Sequence, residues 1–381
     1  MQGYQVGDRF FTYLIDAGDY AVRTNQRVVY NFHDEVFSKI DWRQRIDVNL
    51  PTLYAERARQ IRDTYDYVII TYSGGADSQN VLDTFLNNDI RIDEIVIWHD
   101  KDITHTDNNR TNREALGVAL KRAERIVAER PEIRLRILGS MDTVNAFHAN
   151  KDFDAKLQIN QPWGGIMVPQ RRGYWKNLVD DYRKLVDLNK KVAVVWGYDR
   201  PTVIFDKVQN KFFTYFEDRA QGYLPTALDL PIDNVLFYWS EQVPLIPVKM
   251  AQVIVDKLRE IPVGFQDPYL RYYRQIGNGD FQESHNGNKI SRTLVNNWIY
   301  PTWDPTTFTE GKCLGNFFIN NELDYWVTDR CNEDAVRTWA RNLRNYRDQF
   351  EHFNDHLYRV VDFESFKVRV GFTATKSYYL E

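Results

Sequence analysis

The strongest constraint on the fold is the alternation of apolar, β-branched runs with helical faces between Tyr67 and Pro201. Val68-Ile69-Ile70-Thr71-Tyr72 is an almost continuous apolar run, the pattern of a strand buried on both faces, and Val81, Leu82, Phe85 and Leu86 then recur at helical spacing. Glu94-Ile95-Val96-Ile97-Trp98 repeats the strand signal. Thr111 and Glu114 form a capping box ahead of Ala115, Leu116, Ala119, Leu120, Ala123, Ile126 and Val127, an amphipathic helix that ends near Pro131. Ile133–Leu138 is a third strand, about Tyr174 to Leu188 a further helix, and Val192–Trp196 a fourth strand. Strand and helix alternating at this spacing predict an α/β fold: a parallel sheet with helices on both faces, joined by right-handed crossovers.

The flanks follow another pattern. Phe10–Ile15 and Gln26–Tyr30 read as short strands, and Leu53 to Arg62 as a helix with Tyr54, Ala58 and Ile61 inward. Beyond Pro201, Thr202–Phe205 and Lys211–Phe216 flank Val208-Gln209-Asn210 as a hairpin, and Val248–Ile261 and Asn332–Phe353 read as helices. Gly264–Pro305 is loop-dominated, and Phe366–Tyr379 holds one or two last strands. The chain thus divides into an N-terminal extension (residues 1–66), an α/β domain (67–205) and an aromatic-rich α+β C-terminal region (206–381). A length of 381 residues suits two domains, or one α/β domain with large additions.

Composition removes several function classes. A net charge of −4, from 49 basic and 53 acidic residues, creates no global field that would draw the chain onto a polyanion. Cys313 and Cys331 are the two cysteines; they cannot build a disulfide scaffold, and no Cys-x-x-Cys pair exists for zinc or dithiol chemistry. No stretch approaches 18 uncharged apolar residues and the first ten residues carry charge, so the expectation is a cytoplasmic protein with no membrane segment.

The chemistry concentrates in Ser73-Gly74-Gly75-Ala76-Asp77-Ser78, between the first buried strand and the helix after it. A glycine pair permits close backbone approach, and the helix start presents unpaired N–H groups with a positive dipole end, which together cradle a polyphosphate. Ser73 and Ser78 add hydroxyl donors. Asp77 is a poor neighbour for phosphate unless it holds the Mg²⁺ that accompanies ATP. Neither the Gly-x-x-x-x-Gly-Lys-Ser/Thr spacing nor Gly-x-Gly-x-x-Gly is present, which sets aside motor-type NTPases and dehydrogenases.

The Ser-Gly-Gly-x-Asp-Ser string after a hydrophobic strand resembles the PP-loop of the N-type ATP pyrophosphatases, a superfamily of HUP-like fold that includes asparagine, GMP and NAD synthetases. The resemblance spans roughly Tyr67 to Pro201. It implies that Ser73, Gly74, Gly75, Ala76, Asp77 and Ser78 bind the β- and γ-phosphates of ATP and leave the α-phosphate open to attack, with AMP and pyrophosphate as products. It also places His99 and Asp100, after the second strand, near adenine or ribose. Gly197, in Gly197-Tyr198-Asp199-Arg200-Pro201, would lie across the loop from ATP, with Asp199 taking a second metal or orienting the acceptor. Val168-Pro169-Gln170-Arg171-Arg172 is similar to the Val-Pro-Gly-Arg-Asn element of deazaguanine synthases, although Gln170 replaces the glycine and Arg172 the asparagine; Arg171 or Arg172 would then neutralise the α-phosphate. A turn or basic surface with no ligand is the plainer reading of the strand-end residues and the arginines.

Departures narrow the subfamily. The zinc cysteines of deazaguanine synthases and the cysteine pairs of tRNA thiolases are missing, and no Cys-His-Glu amidotransferase arrangement is visible, so ammonia or an amine must come from outside the chain. The leading expectation is an AMP-forming, ATP-dependent enzyme that adenylates a carboxylate, amide or carbonyl oxygen of an unidentified small molecule for displacement by nitrogen. One alternative makes the acceptor a nucleobase in tRNA or DNA. Trp298, Tyr300, Trp303, Phe308, Phe317, Phe318, Tyr325, Trp326 and Trp339 would then stack on bases beside Arg337, Arg341, Arg344 and Arg347. The other is a nucleotide-binding protein without turnover.

Overall fold

Val68, Ile69 and Ile70 are fully buried, and so are Val194 and Val195, because their strands lie side by side in the middle of one parallel sheet. The computed structural model describes residues 4–11, 20–21, 23–26, 28–98, 115–138, 182–197, 200–206, 209, 211–216, 232–260, 295–304, 359–362, 367–370 and 375–381.

Three short strands open the chain: β1 (Tyr4–Val6), β2 (Arg9–Phe11) and β3 (Val28–Tyr30), antiparallel in the order β2-β1-β3. A single helical turn, α1 (Asp34–Phe37), and the longer α2 (Leu50–Thr64) follow. The Asn49 side chain caps α2 by accepting from Thr52 N–H at 2.9 Å, and Pro51 sits where the missing N–H costs nothing. The central unit then runs β4 (Tyr67–Thr71), α3 (Ala76–Asn87), β5 (Glu94–Trp98), a π-helical segment Ala115–Leu120 continued by α4 (Lys121–Glu129), β6 (Arg134–Leu138), a helical turn at 182–187 and β7 (Val192–Trp196).

Beyond β7 come β8 (Thr202–Asp206), β9 (Lys211–Tyr215), β10 (Ile232–Leu236) and α5 (Leu245–Glu260). A helical turn at 295–299, a hairpin of β11 (Arg359–Asp362) with β12 (Lys367–Val370), and β13 (Tyr378–Tyr379) complete the described elements. β10 joins the parallel sheet beside β7, in register Val192↔Ile232 through Trp196↔Leu236. The five-stranded order is therefore β6-β5-β4-β7-β10, an α/β architecture, and its fifth strand comes from beyond residue 205. Sequence periodicity does not mark this strand: Asp233 and Asn234 interrupt the apolar run, and at the sheet edge only part of it is buried.

The hairpin expected around residues 208–210 is β8–β9, paired Thr202↔Tyr215 through Asp206↔Lys211. β13 returns to extend it, with Tyr378 opposite Thr214. The stretch read as loop-dominated contains the helical turn at 295–299, which buries Val295, Ile299 and Tyr300; one turn is too short to show a period. The capping box at Thr111 and the helix Asn332–Phe353 lie outside the described residues, as does the first part of the helix expected from Tyr174.

Aromatic rings join the flanks to the centre. Phe37 stacks on Trp239 at 3.7 Å between centroids, and Trp42 on Tyr378 at 4.5 Å. Gln252, buried in α5, donates to the carbonyls of Trp42 and Gln44 and accepts from Ile46 N–H, so the segment after α1 is pinned to α5. At the N-terminal edge of the sheet, the fully buried Glu94 accepts hydrogen bonds from Tyr67 and Tyr182, each at 2.8 Å, and pairs with Arg136 at 2.9 Å. A buried carboxylate is tolerable only with such partners.

Candidate functional site

The strand order sets where a sheet of this class would take a ligand. From β4 the chain moves outward through β5 to β6, and then returns to the other side of β4 to place β7 and β10. Neighbouring connections thus diverge between β4 and β7, which opens a crevice outside the carboxyl ends of these two strands, where open α/β sheets bind ligands. Ser73–Ser78 follows β4 and Gly197 follows β7, so both occupy that crevice.

The loop is held by its own side chains. Gly74 takes φ +83°, the left-handed region that glycine enters without penalty. Ser78 Oγ donates to Gly75 O at 3.1 Å and accepts from Ser73 N–H at 3.2 Å; the Ser73 and Ser78 hydroxyls meet at 3.1 Å. Gly75 is the N-cap of α3 with no side-chain cap, and among the described residues the amides of Ala76, Asp77 and Ser78 have no acceptor. These are the donors that a helix start leaves for an anion. Ser73 is exposed and Asp77 half-exposed, so the mouth of the loop is open, whereas Gly74, Gly75, Ala76 and Ser78 are buried.

Gly197 abuts the same turn. A Cβ at this position would lie 2.7 Å from Ser78 Cα and 2.9 Å from Asp77 C, so only a residue without a side chain lets the end of β7 reach the start of α3. Sequence reasoning brought the loop and Gly197 to one site, and the structure places them in contact. His99, Asp100, Arg171 and Asp199 lie outside the described residues; β5, which precedes His99, ends at the same edge of the sheet.

Three phenols surround Asp77; sequence reasoning missed Tyr54 and Tyr238 as site residues and named Tyr300 only as a ring to stack on bases. Tyr238 Oη donates to Asp77 O at 2.8 Å and accepts from Asn80 Nδ2 at 3.0 Å; Tyr300 Oη donates to Asp77 Oδ1; Tyr54 donates to Ile299 O at 2.9 Å beside them. Burial, and secondly the Asp77 carboxylate, push the Tyr54 and Tyr300 phenols well above their usual range; for Tyr238 burial is followed by Tyr54 and Asp77. All three stay neutral donors at any physiological pH. The other oxygen of Asp77 has no hydrogen-bond partner among the described residues, and the residue is half-exposed.

Tyr300 cannot stack on a base as the nucleic-acid expectation required of it: its ring is 1% exposed and its hydroxyl is engaged. Trp298 and Trp303 are partly buried against the core, and the other rings and arginines named for stacking lie outside the described residues. Neighbouring Thr302 donates to Asp83 Oδ2 at 2.7 Å, while Arg122 pairs with Asp83 Oδ1. Burial raises the Asp83 carboxyl, and Arg122 opposes that rise. Arg200, after β7, donates to Asn296 Oδ1, and its charge opposes the rise of the Tyr300 phenol.

The only signal for Tyr238 in the sequence is the apolar run Val235 to Trp239. Nothing near Tyr300 in the chain marks it, since its partner is 223 residues away.

No protein-family model matches the chain, and a search of curated proteins finds no relative. Fold and loop together define a Rossmann-like α/β domain with a glycine turn at its switch point. Among the described residues no helix is long and apolar enough to cross a membrane.

Proposed function

We propose that this protein is an ATP-dependent, AMP-forming enzyme of the PP-loop type, which adenylates a carboxylate, amide or carbonyl oxygen so that a nitrogen nucleophile can displace AMP. The observation that carries the reading is the position of Ser73–Ser78: uncapped helix amides, two hydroxyls and a carboxylate in the crevice between β4 and β7. The amides of Ala76–Ser78 and the hydroxyls of Ser73 and Ser78 would bind the β- and γ-phosphates. Asp77, with Tyr300 holding one oxygen, would offer the other to Mg²⁺, whose charge stabilises departing pyrophosphate.

The acceptor oxygen attacks the α-phosphorus, the bond to the bridging α–β oxygen breaks, and pyrophosphate leaves with that electron pair. A nitrogen nucleophile from outside the chain then attacks the activated carbon and AMP departs. No side-chain nucleophile is required. His99 and Asp100 for the adenosine, Asp199 for a second metal or the acceptor, and Arg171 at the α-phosphate belong to this proposal through the resemblance of their sequence positions.

Incubation with Mg²⁺ and α-labelled ATP is expected to yield AMP and pyrophosphate in wild type and neither in Asp77→Ala. ADP and phosphate as products would contradict the assignment. Tight ATP binding without turnover, even with cell-extract metabolites added, would favour the non-catalytic alternative.

A further inference from the structure

Away from the loop, His33, Glu35 and Glu241 converge where the N-terminal extension meets the segment after β10. His33 is 6% exposed and takes φ +56°, a conformation held by its backbone N–H donating to Asn31 Oδ1 at 2.9 Å. Its Nδ1 lies 3.1 Å from Glu241 Oε2 and 3.5 Å from Glu35 Oε1, and the three ligand atoms fall within 4.8 Å of one another. Neither oxygen lies where an Nδ1 proton would point, so this buried nitrogen has no hydrogen-bond partner.

The two separations from Nδ1 are those of neighbouring ligands around one ion. Two donors each about 2.1 Å from a metal sit about 3.0 Å apart at a right angle and about 3.4 Å apart at the tetrahedral angle. An off-axis contact that is poor as a hydrogen bond is therefore suitable as a polyhedron edge. Gln242 Nε2 donates to Glu241 Oε1 at 3.2 Å, and Oε2 is the oxygen that lies beside the histidine. The Glu35 and Glu241 side chains are 59% and 39% exposed, which gives the ion a path from solvent and leaves positions for water.

We propose that His33, Glu35 and Glu241 bind a first-row divalent cation of the zinc class, one imidazole nitrogen and two carboxylates with the remaining positions held by water. An imidazole nitrogen is a poor ligand for Ca²⁺ and Mg²⁺, which take oxygen donors, and a good one for the zinc class. Beside it Phe37 stacks on Trp239, so the ion would fasten the turn of α1 to the strand end of β10. The site is independent of the nucleotide reading.

The test uses the full chain, stripped with chelator and dialysed against ZnCl₂ without nucleotide. Wild type is expected to retain one equivalent of zinc and to gain thermal stability on loading. Glu129→Gln, a control at an exposed position of α4, keeps both. His33→Asn, which tolerates the left-handed backbone, and the double variant Glu35→Gln/Glu241→Gln, at exposed positions, weaken zinc binding by about tenfold or more and lose the thermal gain. The proposal is overturned if wild type binds no zinc, or if either variant, folded by circular dichroism, binds as wild type does.

Discussion

Replacing Gly197 with alanine would place a methyl carbon 2.7 Å from Ser78 Cα, 2.8 Å from Ser78 N and 2.9 Å from Asp77 C. Comfortable carbon–carbon contacts begin near 3.5 Å, so the end of β7 and the start of α3 must part by roughly 0.8 Å. Both sides resist. β7 is hydrogen-bonded to β4 on one edge and β10 on the other, and the first turn of α3 is tied by Tyr238 to Asp77 O and by Ser78 Oγ to Gly75 O. Overpacking of this kind costs about 1–3 kcal/mol. In a cooperative unit of this size each kcal/mol lowers Tm by roughly 2–4 °C. The backbone of Gly197 is not left-handed, so the penalty is steric alone. The same displacement moves the amides of Asp77 and Ser78, and on the proposed function a loss of about 1.4 kcal/mol in their contacts would weaken ATP binding about tenfold. The assay is thermal unfolding together with ATP titration on Gly197→Ala. At a position with room, Gly→Ala stabilises by about 0.4–1 kcal/mol through the unfolded chain. An unchanged or raised Tm with unchanged affinity would refute the close approach of β7 to α3.

Other perturbations test the surroundings of the loop. Tyr300→Phe removes the donor to Asp77 Oδ1 and is expected to cost about 1–2 kcal/mol in stability and, on the proposed function, to raise the Mg²⁺ concentration that half-saturates AMP release; an unaltered Mg²⁺ dependence would separate Tyr300 from the metal. Tyr54, Tyr238 and Tyr300 have folded-state pKa values raised above 10, so their contribution is fully present below pH 10 and is lost as pH rises from there toward the folded values. Stability should fall by about 1.4 kcal/mol per pH unit for each phenol, and Tyr238→Phe should flatten the slope seen by alkaline denaturation. Arg122→Ala leaves the buried Asp83 carboxylate with Thr302 alone and is expected to cost about 2 kcal/mol at neutral pH. Because burial raises Asp83, that cost should vanish below about pH 3.8, where the carboxyl is neutral in both states; a pH-independent loss in chemical denaturation would contradict the ion-pair account.

Much of the framework is legible in local pattern. Val68–Tyr72, Glu94–Trp98 and Val192–Trp196 announce themselves because strands in the interior of a parallel sheet are buried on both faces, and β4, β5 and β7 lie there; Ile133–Leu138, which is β6 at the sheet edge, is legible from its alternation of apolar residues with Arg134 and Arg136. β10 was hidden because an edge strand buries less and tolerates Asp233 and Asn234. The glycine turn was legible for a similar reason: its conformation and its helix amides depend on neighbours within six residues.

The sequence by itself determined the alternating α/β framework and the glycine turn of Ser73–Ser78 at the start of a helix, since both follow from near-neighbour sterics and periodic burial. Only the tertiary structure decided what stands around that loop. Gly197 reaches it because β7 lies beside β4, Tyr238 because β10 lies beside β7, and Tyr300 because a turn 223 residues from Asp77 folds back over α3. His33 and Glu241 likewise meet only when the N-terminal segment closes on the end of β10. Such pairings rest on chain-wide packing, in which no residue's partner is marked by the residues next to it.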